Sequence, residues 1–169
     1  MVKLIIFDLD GVLVEAKNIH YNALNKALGE DYSIPWNEHL SIYDGLKTYQ
    51  KLDMLSKKKG LPPFMHEGIW KAKQIHTLTM LKELKPTITL SKLMQELTSD
   101  GYKLAVASNS IRKTVVTVLA KLGIIEYFDL IISNEDVLNS KPHPEMYWTA
   151  MSKMKCLPEE TLIVEDSPY

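Results

Sequence analysis

The stretch KLIIFDLDGVLV, residues 3–14, places two carboxylates in an otherwise apolar run close to the start of the chain. Its first half is short, continuous and apolar, which is typical of a strand covered on both faces in a parallel sheet. Asp8 and Asp10 end that run, and Gly11 follows them. Because burying an unpaired charge is unfavourable, two carboxylates at the end of a buried strand indicate a functional site.

The composition is that of an ordinary globular protein. The chain has 169 residues, of which 46% are hydrophobic, and 20 basic side chains stand against 21 acidic ones. This balance offers no basic stripe for a nucleic acid or an anionic membrane, and no apolar stretch reaches membrane-spanning length. The single cysteine, Cys156, fits a reducing compartment and is predicted to be a packed thiol. We therefore expect a cytoplasmic protein whose partner is a small molecule, not a nucleic acid or a membrane.

Three further apolar runs predict strands at 102–109, 129–134 and 161–166. Segments with apolar residues at helical spacing lie beside them. In the second, Ser110 is placed as the N-cap and Gly123 as the end, and the predicted apolar face is Val115, Val118, Leu119 and Leu122. The predicted apolar face of the third is Tyr147, Ala150, Met151 and Met154. The Trp and Met residues at 70, 148, 151 and 154 are predicted to lie in the core. The predicted helices of this half are 89–100, 110–123 and 143–154. Helix therefore alternates with strand, as in an α/β fold.

The segment 16–85 differs because it contains no convincing strand and predicts several helices. These helices are 17–29, about 46–59 and about 64–84, with Gly45 at the start of the second. The prediction is an α/β fold with a Rossmann-like parallel sheet core flanked by helices. That core is discontinuous, comprising residues 1–15 and 86–169, and residues 16–85 form an inserted helical domain.

Polar side chains follow every predicted strand, and ligands of an open parallel sheet bind beyond the carboxyl ends of the strands. These side chains are Asp8, Asp10, Ser108, Asn109, Lys141, Glu165 and Asp166. Carboxylates gathered at one edge repel one another unless a cation lies between them, and hard oxygen ligands favour Mg²⁺. The sequence therefore predicts a magnesium site at this edge of the sheet.

A carboxylate beside bound Mg²⁺ can attack phosphorus and form an aspartyl-phosphate. Asp10 could then protonate the leaving oxygen and later activate water. Ser108 and Lys141 could hold the phosphoryl oxygens, with the positive end of the helix that starts after Ser110. The plainer alternatives are solvated loop carboxylates, a turn-capping serine and an exposed lysine.

Four motifs, DLDGVL, VASNS, SKPHPE and IVEDSP, occur in this order along the chain. Together they resemble the haloacid dehalogenase superfamily, in particular its phosphatase branch with a helical cap, which includes β-phosphoglucomutase and sugar-phosphate phosphatases. The resemblance covers essentially the whole chain. It implies that residues 16–85 are a cap domain, that the protein is an Mg²⁺-dependent phosphatase of a small phosphorylated metabolite such as a sugar phosphate, and that it is a monomer.

The resemblance also implies a role for each motif residue. Asp8 would be the nucleophile and Asp10 the general acid/base. Ser108, Asn109 and Lys141 would bind phosphate. The implied metal ligands are Asp8, the backbone carbonyl of Asp10, Asp166 and, directly or through a second shell, Glu165. In the helical domain His20 resembles a substrate-contacting position, and a structural or solvated histidine is an equally good interpretation. Gly45 similarly resembles a substrate-facing turn or a plain helix-start glycine.

Two departures from the branch stand out. Relatives continue beyond the fourth motif, whereas this chain ends at Ser167, Pro168 and Tyr169, so we expect the C-terminal end of the core to be truncated. An aspartate followed by Ser or Thr often comes shortly after the first motif, where this chain has Glu15 and Ala16.

The alternatives are a β-phosphoglucomutase-like phosphomutase, a catalytically silent binding module, and a receiver-like signalling domain. The long helical insertion argues against the receiver, which does not need it.

Overall fold

A computed structural model describes residues 1–44 and 46–166. Within these ranges four strands form one parallel sheet: β1 (Leu4–Phe7), β2 (Lys103–Ala107), β3 (Leu130–Ile132) and β4 (Thr161–Val164). Their order across the sheet is β3-β2-β1-β4. The predicted α/β fold with a parallel sheet core is confirmed. Gly45 and the predicted truncation at Ser167, Pro168 and Tyr169 lie outside the described residues.

The first strand is as buried as its apolar sequence predicts. Its four side chains are at most 6% exposed, and Leu104 to Ala107 of β2 are fully buried between helices. The fourth strand differs from the prediction. It lies at the edge of the sheet, and Leu162 and Ile163 are 48% and 41% exposed. An edge position leaves fewer neighbours to cover a strand, so the apolar run alone overestimated its burial.

Three helices flank the sheet: α5 (Ile88–Ser99), α6 (Arg112–Leu122) and α7 (Glu145–Met154). The predicted apolar face of α6 is buried, since Val115, Val118, Leu119 and Leu122 are at most 4% exposed. On α7 the prediction was wrong for Trp148, which is 58% exposed, while Met146 is fully buried instead. Cys156 is buried as predicted. These helices therefore flank the sheet whose strands lead into the polar loops.

The chain divides into two compact units. The α/β unit comprises Met1–Glu15 and Leu84–Tyr169, and the helical unit comprises Ala16–Glu83. Four α-helices build the described part of the helical unit: α1 (Lys17–Leu28), α2 (Trp36–Glu38), α3 (Thr48–Lys59) and α4 (His66–Leu81). A π-helix, His39–Tyr43, continues α2 directly. The helical unit has its own core, which includes Leu24, Tyr43, Leu52 and Leu55.

The short α2 and the π-helix were absent from the sequence prediction. They are brief and lack a sustained apolar period, so periodicity could not reveal them. No helix in the described ranges is long and apolar enough to cross a lipid bilayer.

Candidate active site

The carboxyl ends of the four parallel strands meet at one edge of the sheet, and the predicted polar side chains follow them there. Asp8 comes directly after β1, Ser108 after β2 and Glu165 after β4. Parallel register is the reason that residues far apart in sequence converge. Asp8 and Ser108 are buried at this edge, with 6% and 1% exposure, whereas Asp166 is exposed.

Lys141 lies at the centre of this group. Its Nζ donates hydrogen bonds to Asp8 Oδ1 at 2.6 Å and to Glu165 Oε2 at 2.8 Å. The side chain of Lys141 is 7% exposed, so these are buried ion pairs. A lysine ammonium that bridges a buried and a partly buried carboxylate compensates charges that would otherwise be costly to enclose. The structure therefore brings together residues from the first, third and fourth motifs.

Burial and the ion pairs together determine the protonation of Asp8 and Lys141. As the largest effect, burial raises the pKa of the Asp8 carboxyl to about 6, although the charge and hydrogen bond of Lys141 act to lower it. Burial by itself would lower the pKa of the Lys141 ammonium, but the charge of Asp8 and the hydrogen bonds to Asp8 and Glu165 raise it above its ordinary value. At neutral pH, Lys141 is thus fully charged and most Asp8 is ionised.

Three carboxylates could share a metal ion. Asp8, Glu165 and Asp166 each offer one oxygen, and these oxygens all lie within 4.8 Å of one another. A donor set of three carboxylate oxygens suits Mg²⁺. Gly11 allows the close approach of Asp166, because a Cβ at Gly11, which has φ of +94°, would fall on the Asp166 carboxylate. The glycine after the paired aspartates thus makes room for a possible metal ligand.

Asp10 accepts a hydrogen bond from Ser110 Oγ at 3.2 Å. The sequence analysis missed this contact, because it assigned Ser110 to the N-cap of α6. That assignment was wrong. The helix begins at Arg112, its N-cap is Ile111, and no side chain of the cap residue bonds to it. Ser110 is the second serine of VASNS. Its contact could have been predicted from the sequence only by asking which aspartate lies opposite the end of the second strand.

The first amide of α6 has a different partner. Arg112 N donates to Glu135 Oε2 at 2.7 Å, and Glu135 lies in the loop after β3. One N-terminal amide of the helix is therefore already bonded to a carboxylate of the protein itself. Its expected contribution to phosphate binding stays a prediction.

Ser108 and Asn109 end the second strand. Ser108 Oγ accepts a hydrogen bond from Ser110 N at 3.1 Å, which fixes the oxygen and leaves its own O–H bond as the donor. The side-chain amide of Asn109 donates to Lys141 O at 3.1 Å and accepts from Lys141 N at 3.0 Å. Asn109 thereby clamps the backbone of the central lysine. Its predicted contact with phosphate stays a prediction.

His20 belongs to the helical unit. It lies on α1, and its Nδ1 is 3.3 Å from Nζ of Lys73 on α4. This contact joins two helices that pack along one another, so it fits the structural interpretation as well as the substrate-binding one.

The chain is similar to known proteins over nearly its whole length. Residues 5–169 match the model of the haloacid dehalogenase-like hydrolase family. The chain is 30% identical to pyrophosphatase PpaX of Oceanobacillus iheyensis, over 99% of this chain and 76% of that protein. It is 26% identical to a phosphorylated carbohydrates phosphatase of Thermotoga maritima, over 96% and 76% of the two chains.

Among solved structures, a mutant of CbbY from Rhodobacter sphaeroides in complex with xylulose-(1,5)-bisphosphate is similar, with a TM-score of 0.86 and 26% identity. The match covers 99% of this chain and 79% of that one. A family match over residues 5–169, together with the same fold, identifies the chain as a member of the haloacid dehalogenase-like hydrolase family.

Proposed function

We propose that the protein is an Mg²⁺-dependent phosphatase of a small phosphorylated metabolite, such as a sugar phosphate, acting through an aspartyl-phosphate on Asp8. The observation that carries the proposal is the position of Lys141. Its ammonium, on a side chain that is 7% exposed, lies 2.6 Å from Asp8 and 2.8 Å from Glu165. A fixed cation beside a carboxylate nucleophile is suited to a phosphoryl group that carries negative charge.

In the first half-reaction an Asp8 carboxylate oxygen attacks phosphorus, and a bond forms between them while the bond to the ester oxygen breaks. Asp10 gives its proton to the leaving oxygen, so that the alcohol departs neutral. Ser110 Oγ, 3.2 Å from Asp10 Oδ2, orients that carboxyl. Lys141 Nζ and Ser108 Oγ donate to the phosphoryl oxygens.

In the second half-reaction a water molecule attacks the phosphorus of the aspartyl-phosphate. Asp10, now a carboxylate, takes the proton of that water, and the bond between phosphorus and the Asp8 oxygen breaks. Inorganic phosphate is released and both carboxyl groups return to their starting states. One residue serves as acid and then as base, which suits a side chain in contact with both the leaving group and the water.

The residues fit a magnesium ion, since Asp8, Glu165 and Asp166 supply three hard oxygen donors within 4.8 Å of one another. When bound, the ion would offset the repulsion between these carboxylates and neutralise charge on the phosphoryl group. We also assign the helical unit as the cap domain, with His20 as a substrate contact. We also propose that the protein is cytoplasmic and monomeric.

The substrate class follows the relatives, whose names include phosphatases of phosphorylated carbohydrates and a pyrophosphatase. These relatives show only moderate identity, so a small phosphate ester is the class that we propose. The exact ester depends on the side chains that contact it.

The test is hydrolysis of p-nitrophenyl phosphate with and without Mg²⁺ by the wild type, Asp8→Asn and Asp10→Asn. We expect turnover only with Mg²⁺. Asp8→Asn should abolish it, because the amide is not a nucleophile. Asp10→Asn should lower kcat by about 10²-fold or more, because the acid/base is lost, while Mg²⁺ binding measured by calorimetry persists.

Other outcomes point elsewhere. Mg²⁺ binding without turnover of any of a panel of phosphate esters would favour the silent binding module. Conversion of β-glucose 1-phosphate to an isomeric phosphate, without release of inorganic phosphate, would favour the phosphomutase. Full activity of Asp8→Asn would contradict the mechanism itself.

A further inference from the structure

Tyr147 lies on α7 and reaches toward the loop that ends β4. Its hydroxyl donates a hydrogen bond to Glu165 Oε2 at 3.1 Å. This is the oxygen that also accepts from Lys141 Nζ, at 2.8 Å. Because both donors use Oε2, the other oxygen, Oε1, is left for a cation.

The ring of the same tyrosine faces the same lysine. Lys141 Nζ lies 5.2 Å from the ring centroid of Tyr147, within the range of a cation–π interaction. Tyr147 therefore contacts two members of the site, one through its hydroxyl and one through its ring. The sequence predicted it only as part of the apolar face of α7.

We propose that Tyr147 is a positioning residue of the site, holding Glu165 through its hydroxyl and Lys141 through its ring so that Glu165 presents its free oxygen to the metal. This inference rests on the proposed function. Carboxylate ligands of metals are commonly held by hydrogen bonds from a second layer of residues, and loss of such a bond costs about 10- to 100-fold in metal affinity or activity.

The alternative is an ordinary core tyrosine. Tyr147 does pack against the cluster of Ile132, Met146 and Ala150, and the hydroxyl of a buried tyrosine usually finds some partner. Two observations favour the positioning role. The hydroxyl partner is a carboxylate of the candidate metal site, and the ring partner is the lysine bound to that same carboxylate.

The experiment compares Tyr147→Phe, which keeps the ring and removes the hydroxyl, with Tyr147→Leu, which removes both. Tyr127→Phe is the matched control, because Tyr127 is a partly buried tyrosine of the same unit on the short helix Ile125–Tyr127. Mg²⁺ binding to each protein is measured by calorimetry without substrate. Thermal unfolding without metal reports any purely structural loss.

We expect Tyr147→Phe to weaken Mg²⁺ binding by about 10-fold and to need correspondingly more Mg²⁺ for half-maximal turnover of p-nitrophenyl phosphate. Its KM for substrate should change little. Tyr147→Leu should weaken Mg²⁺ binding at least as much and also raise KM, because Lys141 loses its ring partner. Tyr127→Phe should bind Mg²⁺ like the wild type.

Mg²⁺ affinity of Tyr147→Phe within twofold of the wild type would overturn the role of Tyr147 and leave the proposed function intact. Equal weakening in Tyr127→Phe would also overturn it, because the loss would then be structural. A wild-type protein that neither binds Mg²⁺ nor turns over any phosphate ester would overturn both proposals.

Discussion

Gly11 shows how one missing methyl group can control a site. Its backbone φ is +94°, which side chains rarely adopt, and the carboxylate of Asp166 occupies the space of the absent Cβ. The glycine therefore has two separate functions: it allows the turn after the paired aspartates and it admits a carboxylate from the fourth motif. A substitution at Gly11 disturbs both functions, and only the second concerns the metal.

We predict that Gly11→Ala lowers stability by more than the roughly 1–2 kcal/mol of backbone strain alone and also weakens Mg²⁺ binding at least 10-fold. The reason is that Asp166 must move away from the other carboxylates. Chemical denaturation measures the stability, and calorimetry measures the metal affinity.

Gly101→Ala is the matched control for that prediction. Gly101 has φ of +86° in the same unit, and nothing lies within 4 Å of its would-be Cβ. The control should lose stability through strain and keep its metal affinity. Similar Mg²⁺ affinities in the two variants would disprove the role given to Gly11.

Some side chains of the site could be predicted from the sequence, and two hydroxyl groups could not. The sequence predicted Asp8 and Asp166 as site residues because they are charged and follow apolar strands, and it predicted Lys141 only through its motif. Ser110 and Tyr147 carried no such signal. A serine before a helix and a tyrosine on an apolar face have common structural roles, and only the folded chain reveals that their hydroxyls meet Asp10 and Glu165.

Among the elements, α6 has its N-terminus bonded to a side chain from another loop. Glu135 Oε2 accepts from the amide of Arg112, the first residue of the helix, at 2.7 Å. A carboxylate at this position satisfies an otherwise unpaired amide and interacts favourably with the helix dipole.

Glu135→Ala should destabilise the protein by about 1 kcal/mol, within the range for losing an N-terminal cap. Urea unfolding measures the change. Glu126→Ala, at an exposed glutamate of the short helix Ile125–Tyr127, is the control and should be nearly neutral. If both variants unfold at the same urea concentration as the wild type, Glu135 does not stabilise α6.

Elements with a strong pattern were predictable. The four strands follow from apolar runs ended by polar residues, and β2 and β3 are shorter than predicted, by one to two residues at each end. The long helices follow from apolar periodicity and their glycine ends, such as Gly123 after α6. The helix α2 and the π-helix that follows it were not predictable, because both are short and lack a sustained apolar period.

At the scale of the whole molecule, two units with separate cores share one chain. The sequence predicts the insertion, because strand patterns stop after residue 14 and resume after residue 100. Separate cores imply that the two units can differ in their response to pH. The helical unit holds the clearest acid-sensitive group among the described residues.

That group is His39, which is 2% exposed and stacks on Trp36 with ring centroids 5.4 Å apart. Its Nδ1 is buried and has no hydrogen-bond partner among the described residues. Burial, aided by the positive charge of Lys51, lowers the pKa of His39 to about 4, although Asp44 acts to raise it. Lys17 and His20 add further positive charge around the ring.

This low pKa predicts that acid destabilises the helical unit before the α/β unit. Between pH 6.5 and pH 4 the unfolded state binds a proton at His39 and the folded state does not, so stability falls as the pH falls. The loss of stability should reach on the order of 3 kcal/mol at pH 4.

Hydrogen exchange measured by peptide at pH 7 and pH 4.5 should show more frequent opening of residues 16–83 at the lower pH. His39→Gln should reduce that pH dependence, whereas His76→Gln, at a partly exposed histidine on α4, should preserve it. If the opening of residues 16–83 is equally frequent at pH 7 and pH 4.5, His39 is not the group that limits stability in acid.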